Sequence, residues 1–92
     1  MPRKNRGPGR TPRGPHKLVK VYSTPQCPWC KVAKAYLKDN DIPFIDVDVS
    51  HDRAGLREMV TMTGQHGVPV LLVGQKTMIG WNPAEFDRLM RA

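Results

Sequence analysis

The spacing of apolar and polar positions changes period several times along the chain, and each change marks an element. Residues 18–22, L-V-K-V-Y, alternate about Lys20 and are β-rich, predicting a first strand over Leu18 to Tyr22. Ser23 to Gln26 is a loop that Pro25 keeps out of the strand, since proline cannot donate to a ladder. From Pro28 the period becomes helical, with Cys30, Val32, Ala33, Tyr36 and Leu37 on one side and Lys31, Lys34 and Lys38 largely outward. That helix should end near Asn40, because Pro43 disfavours helix in the residue before it. Phe44 to Val49 alternates again, a second strand. Leu56, Met59, Val60 and Thr63 then fall at i, i+3, i+4 and i+7, a second helix capped by Ser50 or Asp52 and stopped by Gly64.

Val68 to Val73, V-P-V-L-L-V, is a nearly unbroken apolar run, as a strand buried on both faces would be. Gly74-Gln75 makes a two-residue turn and Lys76 to Ile79 returns as the hairpin partner. After Gly80-Trp81, Asn82 is a helix cap with Pro83 at the first helical position and Glu85 at the third; Phe86, Leu89 and Met90 give the last helix its apolar face. The order β-α-β-α-β-β-α predicts an α/β fold with a mixed four-stranded sheet flanked by helices and a right-handed crossover in the first unit.

Composition adds a division. Residues 1–17 contain no Val, Ile, Leu or aromatic residue and are dense in Pro and Gly, so they cannot bury enough apolar surface to offset chain entropy. They read as a disordered basic arm ahead of a single domain spanning 18–92. The arm carries Arg3, Lys4, Arg6, Arg10, Arg13 and Lys17 with no acid; the remainder has nine Lys or Arg against eight Asp or Glu, and together they give the net +7. The basic character therefore belongs to the arm. Such an arm can touch nucleic acid or an acidic surface weakly through counterion release, but it has no interleaved aromatics to stack bases. A solubilising extension is the preferred reading. The arm has no apolar core of a secretory signal and no run reaches membrane-spanning length, which suggests a cytoplasmic protein without membrane contact; a monomer is expected.

The candidate chemistry lies in S-T-P-Q-C-P-W-C. Cys27 falls where a helix begins, so unpaired backbone N–H groups and the positive end of the macrodipole converge on its sulfur. C-x-x-C cysteines so placed typically have pKa values lowered to roughly 3.5–7.5. Cys30, three residues on, shares the face and lies within disulfide reach. Two other readings stand beside redox exchange. A zinc site wants four ligands, and His16, His51 and His66 offer no pair at the usual spacing. Two inert buried cysteines would not require Pro and Trp between them at a strand-to-helix turn. Asp46, Asp48 and Asp52 read as a solvated strand end, since their spacing lacks the Gly and terminal Glu of a calcium loop.

Taken with T-G-Q-H-G-V-P, the G-Q hairpin turn and I-G-W-N-P, the C-P-W-C sequence resembles the thioredoxin superfamily and looks most like a glutaredoxin-type redoxin over residues 18–91. The resemblance implies a thiol–disulfide oxidoreductase with Cys27 attacking and Cys30 resolving. It implies that Pro69 is a cis-proline beside the disulfide, that the Val68 backbone pairs with an extended substrate, and that Trp29 stands where Tyr or Phe is usual. Pro25, Lys31, Gln65, Gly80 and Trp81 complete the substrate-binding residues it suggests. No bound cofactor is implied; glutathione is a candidate reductant. Typical glutaredoxins hold its two carboxylates with a loop cation and a Gln, and with residues at the end of the last hairpin. Here Gln65 matches, Thr24 replaces the loop cation with Lys31 as a substitute, and Trp81-Asn82-Pro83-Ala84 occupies the second pocket. A lost charged hydrogen bond weakens an anion by about 1.5–3 kcal/mol, roughly tenfold to a hundredfold.

The G-W-N-P stretch instead resembles the G-F-R-P type of small redoxins that draw electrons from thioredoxin reductase and serve ribonucleotide reductase, although those usually lack Pro inside C-x-x-C. The partners implied are protein disulfides or glutathionylated substrates on one side and glutathione or thioredoxin reductase on the other. Some glutaredoxins bind an iron–sulfur cluster between two subunits, but cluster binders generally avoid proline at the place of Pro28.

Overall fold

The elements run β1 Val19–Ser23, α1 Pro28–Asp39, β2 Ile45–Asp48, α2 Arg53–Thr63, β3 Val70–Val73, β4 Lys76–Ile79 and α3 Pro83–Arg91. They are seen in a computed structural model that describes residues 17–91. The expected disordered arm, apart from Lys17, lies outside the described residues.

One four-stranded sheet holds the strands in the order β2-β1-β3-β4. β1 is parallel to β2 and antiparallel to β3, and β4 is antiparallel to β3. The mixed sheet expected from the element order is therefore present. Alternation along β1 sorts the two faces: Val19 and Val21 join Ala33, Leu37, Leu71, Val73, Met78, Phe86 and Leu89 in one cluster, while Tyr22 joins Val47, Val49, Met59 and Val70 in the other. Helices α1 and α3 thus cover one face and α2 the other. On the α2 side, the Tyr22 hydroxyl donates to Glu58 Oε1 at 2.5 Å and Lys20 Nζ reaches the same oxygen at 3.2 Å. Burial, reinforced by the carboxylate, raises the Tyr22 phenol above its ordinary range.

Strand bounds are tighter than the apolar pattern suggests. Leu18 stays outside β1, half exposed, although its carbonyl accepts from Gly74 N at 2.7 Å. Ser23 joins instead because it is paired with Asp48 of β2. Phe44 and Val49 lie beyond β2, and β3 begins at Val70 rather than Val68. Pro69 precedes that strand and donates nothing to its ladder.

Two positions on α1 depart from expectation. Val32 is exposed, because it lies more than half a turn around the helix from Cys30 and falls outside the buried row of Cys30, Ala33 and Leu37. Lys34 is turned inward at the edge of that row, where Nζ meets Asp46 Oδ2 at 2.9 Å. The acids also do more than line a solvated strand end. Asp46 takes Lys34, Asp48 accepts from the Ser50 hydroxyl at 2.5 Å, and Asp52 caps α2.

Helix ends follow the local signals. Asp52 Oδ1 accepts from Gly55 N at 2.8 Å, and Gly64 ends α2 in the left-handed conformation. Asn82 Oδ1 accepts from the N–H groups of Ala84 and Glu85 at 3.1 and 3.2 Å. Gly55 has a second role invisible in the pattern: a Cβ there would lie 2.4 Å from Val47 Cγ1, so only glycine lets α2 approach β2 this closely. No helix among the described residues is long and apolar enough to cross a membrane.

Candidate functional site

The sheet gathers the candidate residues at one end. β1 finishes at Ser23 and runs into the 24–27 loop, while Tyr22 pairs with Val70 at the start of β3, so Pro69 arrives at that same end. The Val68-Pro69 peptide bond is cis. Gly80 N donates to Pro69 O at 2.8 Å, which fastens the exit of β4 to the same place. Gly80 needs φ of +87° to do so, a conformation that side-chain-bearing residues rarely adopt. The approach to Pro69 is braced by Gln65, whose Oε1 accepts from Gly67 N at 2.8 Å and whose Nε2 donates to Gly67 O at 3.1 Å.

Cys27 is the N-cap of α1, in an extended conformation with φ −77° and ψ 115°. Its Sγ accepts from the Cys30 N–H at 3.2 Å, its N–H donates to Thr24 O at 3.3 Å, and its carbonyl accepts from Lys31 N at 3.2 Å. Pro28 holds the first helical position, where no N–H is needed. The sulfur of Cys27 therefore occupies the place usually filled by a capping oxygen. Both thiols are unpaired, with Cys27 half-buried and Cys30 at 0 % exposure.

Burial pushes the Cys30 thiol up to about 12, reinforced by its hydrogen bond with Cys27, against opposing pulls from the Thr24 backbone and the Lys34 charge. Cys30 is thus a neutral thiol at physiological pH, out of reach of a bulky partner. Cys27 is the member of the pair that solvent reaches. The two thiols differ in access while lying one helical turn apart, which is what a two-step exchange needs.

The remaining candidates divide by exposure. Pro25, Trp29 and Lys31 are exposed around the start of α1, with Trp29 at 60 %. Val32, which the helical pattern turned inward, adds an exposed apolar side chain at 46 %, one turn beyond Trp29. Val68 is partly buried and Pro69 is buried. Trp81 is engaged elsewhere: its ring centroid lies 5.2 Å from Tyr36 and 5.7 Å from Phe86, joining α1 to α3. The Tyr36 hydroxyl donates to Asp87 at 2.8 Å, and this bond raises its phenol. Sequence reasoning missed Ser23, buried at 2 % exposure, which accepts from Lys34 Nζ at 3.3 Å and donates to Asp46 Oδ1 at 2.9 Å. A hydroxyl ending a strand gave no sequence signal, because its partners sit 11 and 23 residues away.

A cysteine pair at the start of the first helix, with Cys27 as its cap, on a β-α-β-α-β-β-α sheet is the arrangement of a thioredoxin-like fold. Residues 19–78 match the glutaredoxin family model, and the chain belongs to the glutaredoxin family. It is similar to an uncharacterized glutaredoxin-like 8.6 kDa protein in the rubredoxin operon of Clostridium pasteurianum, 45% identical over 79% of this chain and 97% of that one. It is also similar to the glutaredoxin-like protein NrdH of Lactococcus lactis, 26% identical over 78% of this chain and 99% of the relative. In fold it resembles a glutaredoxin crystal structure from Archaeoglobus fulgidus, with a TM-score of 0.73 at 23% identity, covering 83% of this chain and 88% of that one.

Proposed function

We propose that the protein is a dithiol–disulfide oxidoreductase that reduces protein disulfides or glutathione mixed disulfides. Cys27 thiolate attacks one sulfur of the target, the other sulfur leaves and takes up a proton, and Cys27 holds the target as a mixed disulfide. Cys30 then loses its proton, attacks Cys27 Sγ and releases the second target thiolate, leaving an oxidised Cys27–Cys30 pair. The observation that carries this reading is the asymmetry of the pair: Cys27 is accessible at the helix start, whereas Cys30 is buried with its thiol pushed up to about 12. The exposed Trp29 and Val32 supply apolar contact for a protein target beside Cys27, and Val68 supplies a backbone edge before Pro69.

A second reading concerns the source of electrons. In it the protein is a thioredoxin-reductase-dependent redoxin that donates to a reductase such as ribonucleotide reductase. Two observations favour it over glutathione: the Gln65 amide is engaged on both sides by Gly67, and Trp81, where a second carboxylate pocket is expected, packs between Tyr36 and Phe86. Similarity to an NrdH protein points the same way. A coupled NADPH-consumption assay decides, run once with glutathione and glutathione reductase and once with thioredoxin reductase. Turnover with thioredoxin reductase alone is the expected result. Turnover with glutathione alone makes Gln65 and Lys31 its ligands, and turnover with neither overturns the redox reading.

A further inference from the structure

We propose that Lys34, held over the end of the sheet by Ser23 and Asp46, is a positioning residue for the second half of the exchange, where its ammonium supports the thiolate of Cys30. This rests on the reading of Cys27 as the attacking sulfur and Cys30 as the resolving one.

Lys34 follows Cys30 by four residues on α1, the spacing that places two side chains on one helix face. A lysine at such an edge normally extends into water. Here Nζ is folded back, 2.9 Å from Asp46 Oδ2 on β2 and 3.3 Å from Ser23 Oγ on β1. The Ser23 hydroxyl closes the triangle by donating to Asp46 Oδ1 at 2.9 Å. The lysine side chain is only 20% exposed, so its charge is less screened than a surface ammonium. Ser23 is followed by Thr24, whose carbonyl accepts from the Cys27 N–H at 3.3 Å. The strand end that holds the cation therefore leads directly into the turn that positions the cysteine pair.

The groups that act on Cys30 are the Cys27 thiol, the Thr24 backbone and Lys34, with Asp46 behind Lys34 offsetting part of its charge. Burial and Cys27 oppose ionisation of Cys30; Lys34 favours it. Once Cys27 is tied up in a mixed disulfide it no longer opposes ionisation of Cys30, and the Lys34 ammonium still favours it. The Cys30 proton leaves to solvent, the new bond forms between Cys30 and Cys27 sulfurs, and the bond from Cys27 to the partner breaks.

The magnitude follows from how thiolates react. Lowering a thiol's pKa by one raises its thiolate fraction about tenfold but costs nucleophilicity with a Brønsted slope of about 0.4–0.5, a net gain of about threefold. Reduced protein is mixed with the aromatic disulfide dithiobis-nitrobenzoate, and released thionitrobenzoate is followed by absorbance. The first release reports attack by Cys27 and the second reports displacement by Cys30. Lys34→Met should slow the second phase about threefold and leave the first in place, and Lys34→Arg should restore the second. A second phase unchanged in Lys34→Met, or equally slow in Lys34→Arg, overturns the role of the charge. Equal slowing of both phases in Lys34→Met overturns it in favour of a general structural effect. If the parent shows no first phase that depends on Cys27, the underlying redox reading fails instead.

Discussion

The starts of α1 and α2 are built alike and used differently. In α1 the N-cap side chain Cys27 accepts from the N–H of Cys30 at 3.2 Å; in α2 the N-cap Asp52 accepts from the N–H of Gly55 at 2.8 Å. Both third positions, Cys30 and Gly55, are buried. The α2 start uses a carboxylate oxygen, a strong acceptor that stabilises the helix and does no chemistry. The α1 start uses sulfur, a weak acceptor, and obtains its order from Pro28 and from the packing of Ala33 and Leu37 further along. A capping position can therefore be spent on reactivity where the rest of the helix is secured.

The sharpest way to break the comparison is Cys27→Ser. Serine is a preferred cap, so the helix start and melting temperature should be kept while turnover with either reductant falls to background. Retained turnover would remove Cys27 as the nucleophile. Next in size is Gly55→Ala, which places a methyl 2.4 Å from Val47 Cγ1 and should lower stability by about 1–3 kcal/mol in urea unfolding. Val47→Ala in the same chain should recover part of it; a neutral Gly55→Ala would mean that α2 and β2 can separate freely.

Asp52→Ala should cost about 1 kcal/mol of stability, with turnover intact, because its role is to satisfy one backbone donor. A drop in turnover larger than the loss of folded protein would show that the two helix starts are coupled. The smallest expected effect is electrostatic. The Tyr22 hydrogen bond, followed by the Lys20 hydrogen bond and charge, holds Glu58 below its ordinary value of 4.5. A depressed carboxylate contributes stability that is present above its unfolded value and is lost as pH falls through the folded one. Glu58→Gln should therefore flatten the loss of stability on acidification below about pH 4.5 and change little at neutrality. An unaltered acid limb would show that this exposed carboxylate contributes nothing.

What the sequence alone determined is local. Pro28 after Cys27, Asp52 before α2, Gly64 after it, the Gly74-Gln75 turn and Asn82-Pro83 each act within a few residues, and every one of them marks an element boundary seen in the fold. The pair of cysteines on one helical turn was legible for the same reason. The tertiary structure decided what depends on distant neighbours. Parallel pairing of β1 with β2 brings Ser23 beside Asp48, and from there the Ser23, Lys34 and Asp46 network follows, which turned an expected outward lysine inward. Helix packing exposed Val32, required glycine at 55 and drew Trp81 between Tyr36 and Phe86. Backbone signals act through bonds a few residues long, whereas burial and charge pairing act through space, and only the folded chain sets those distances.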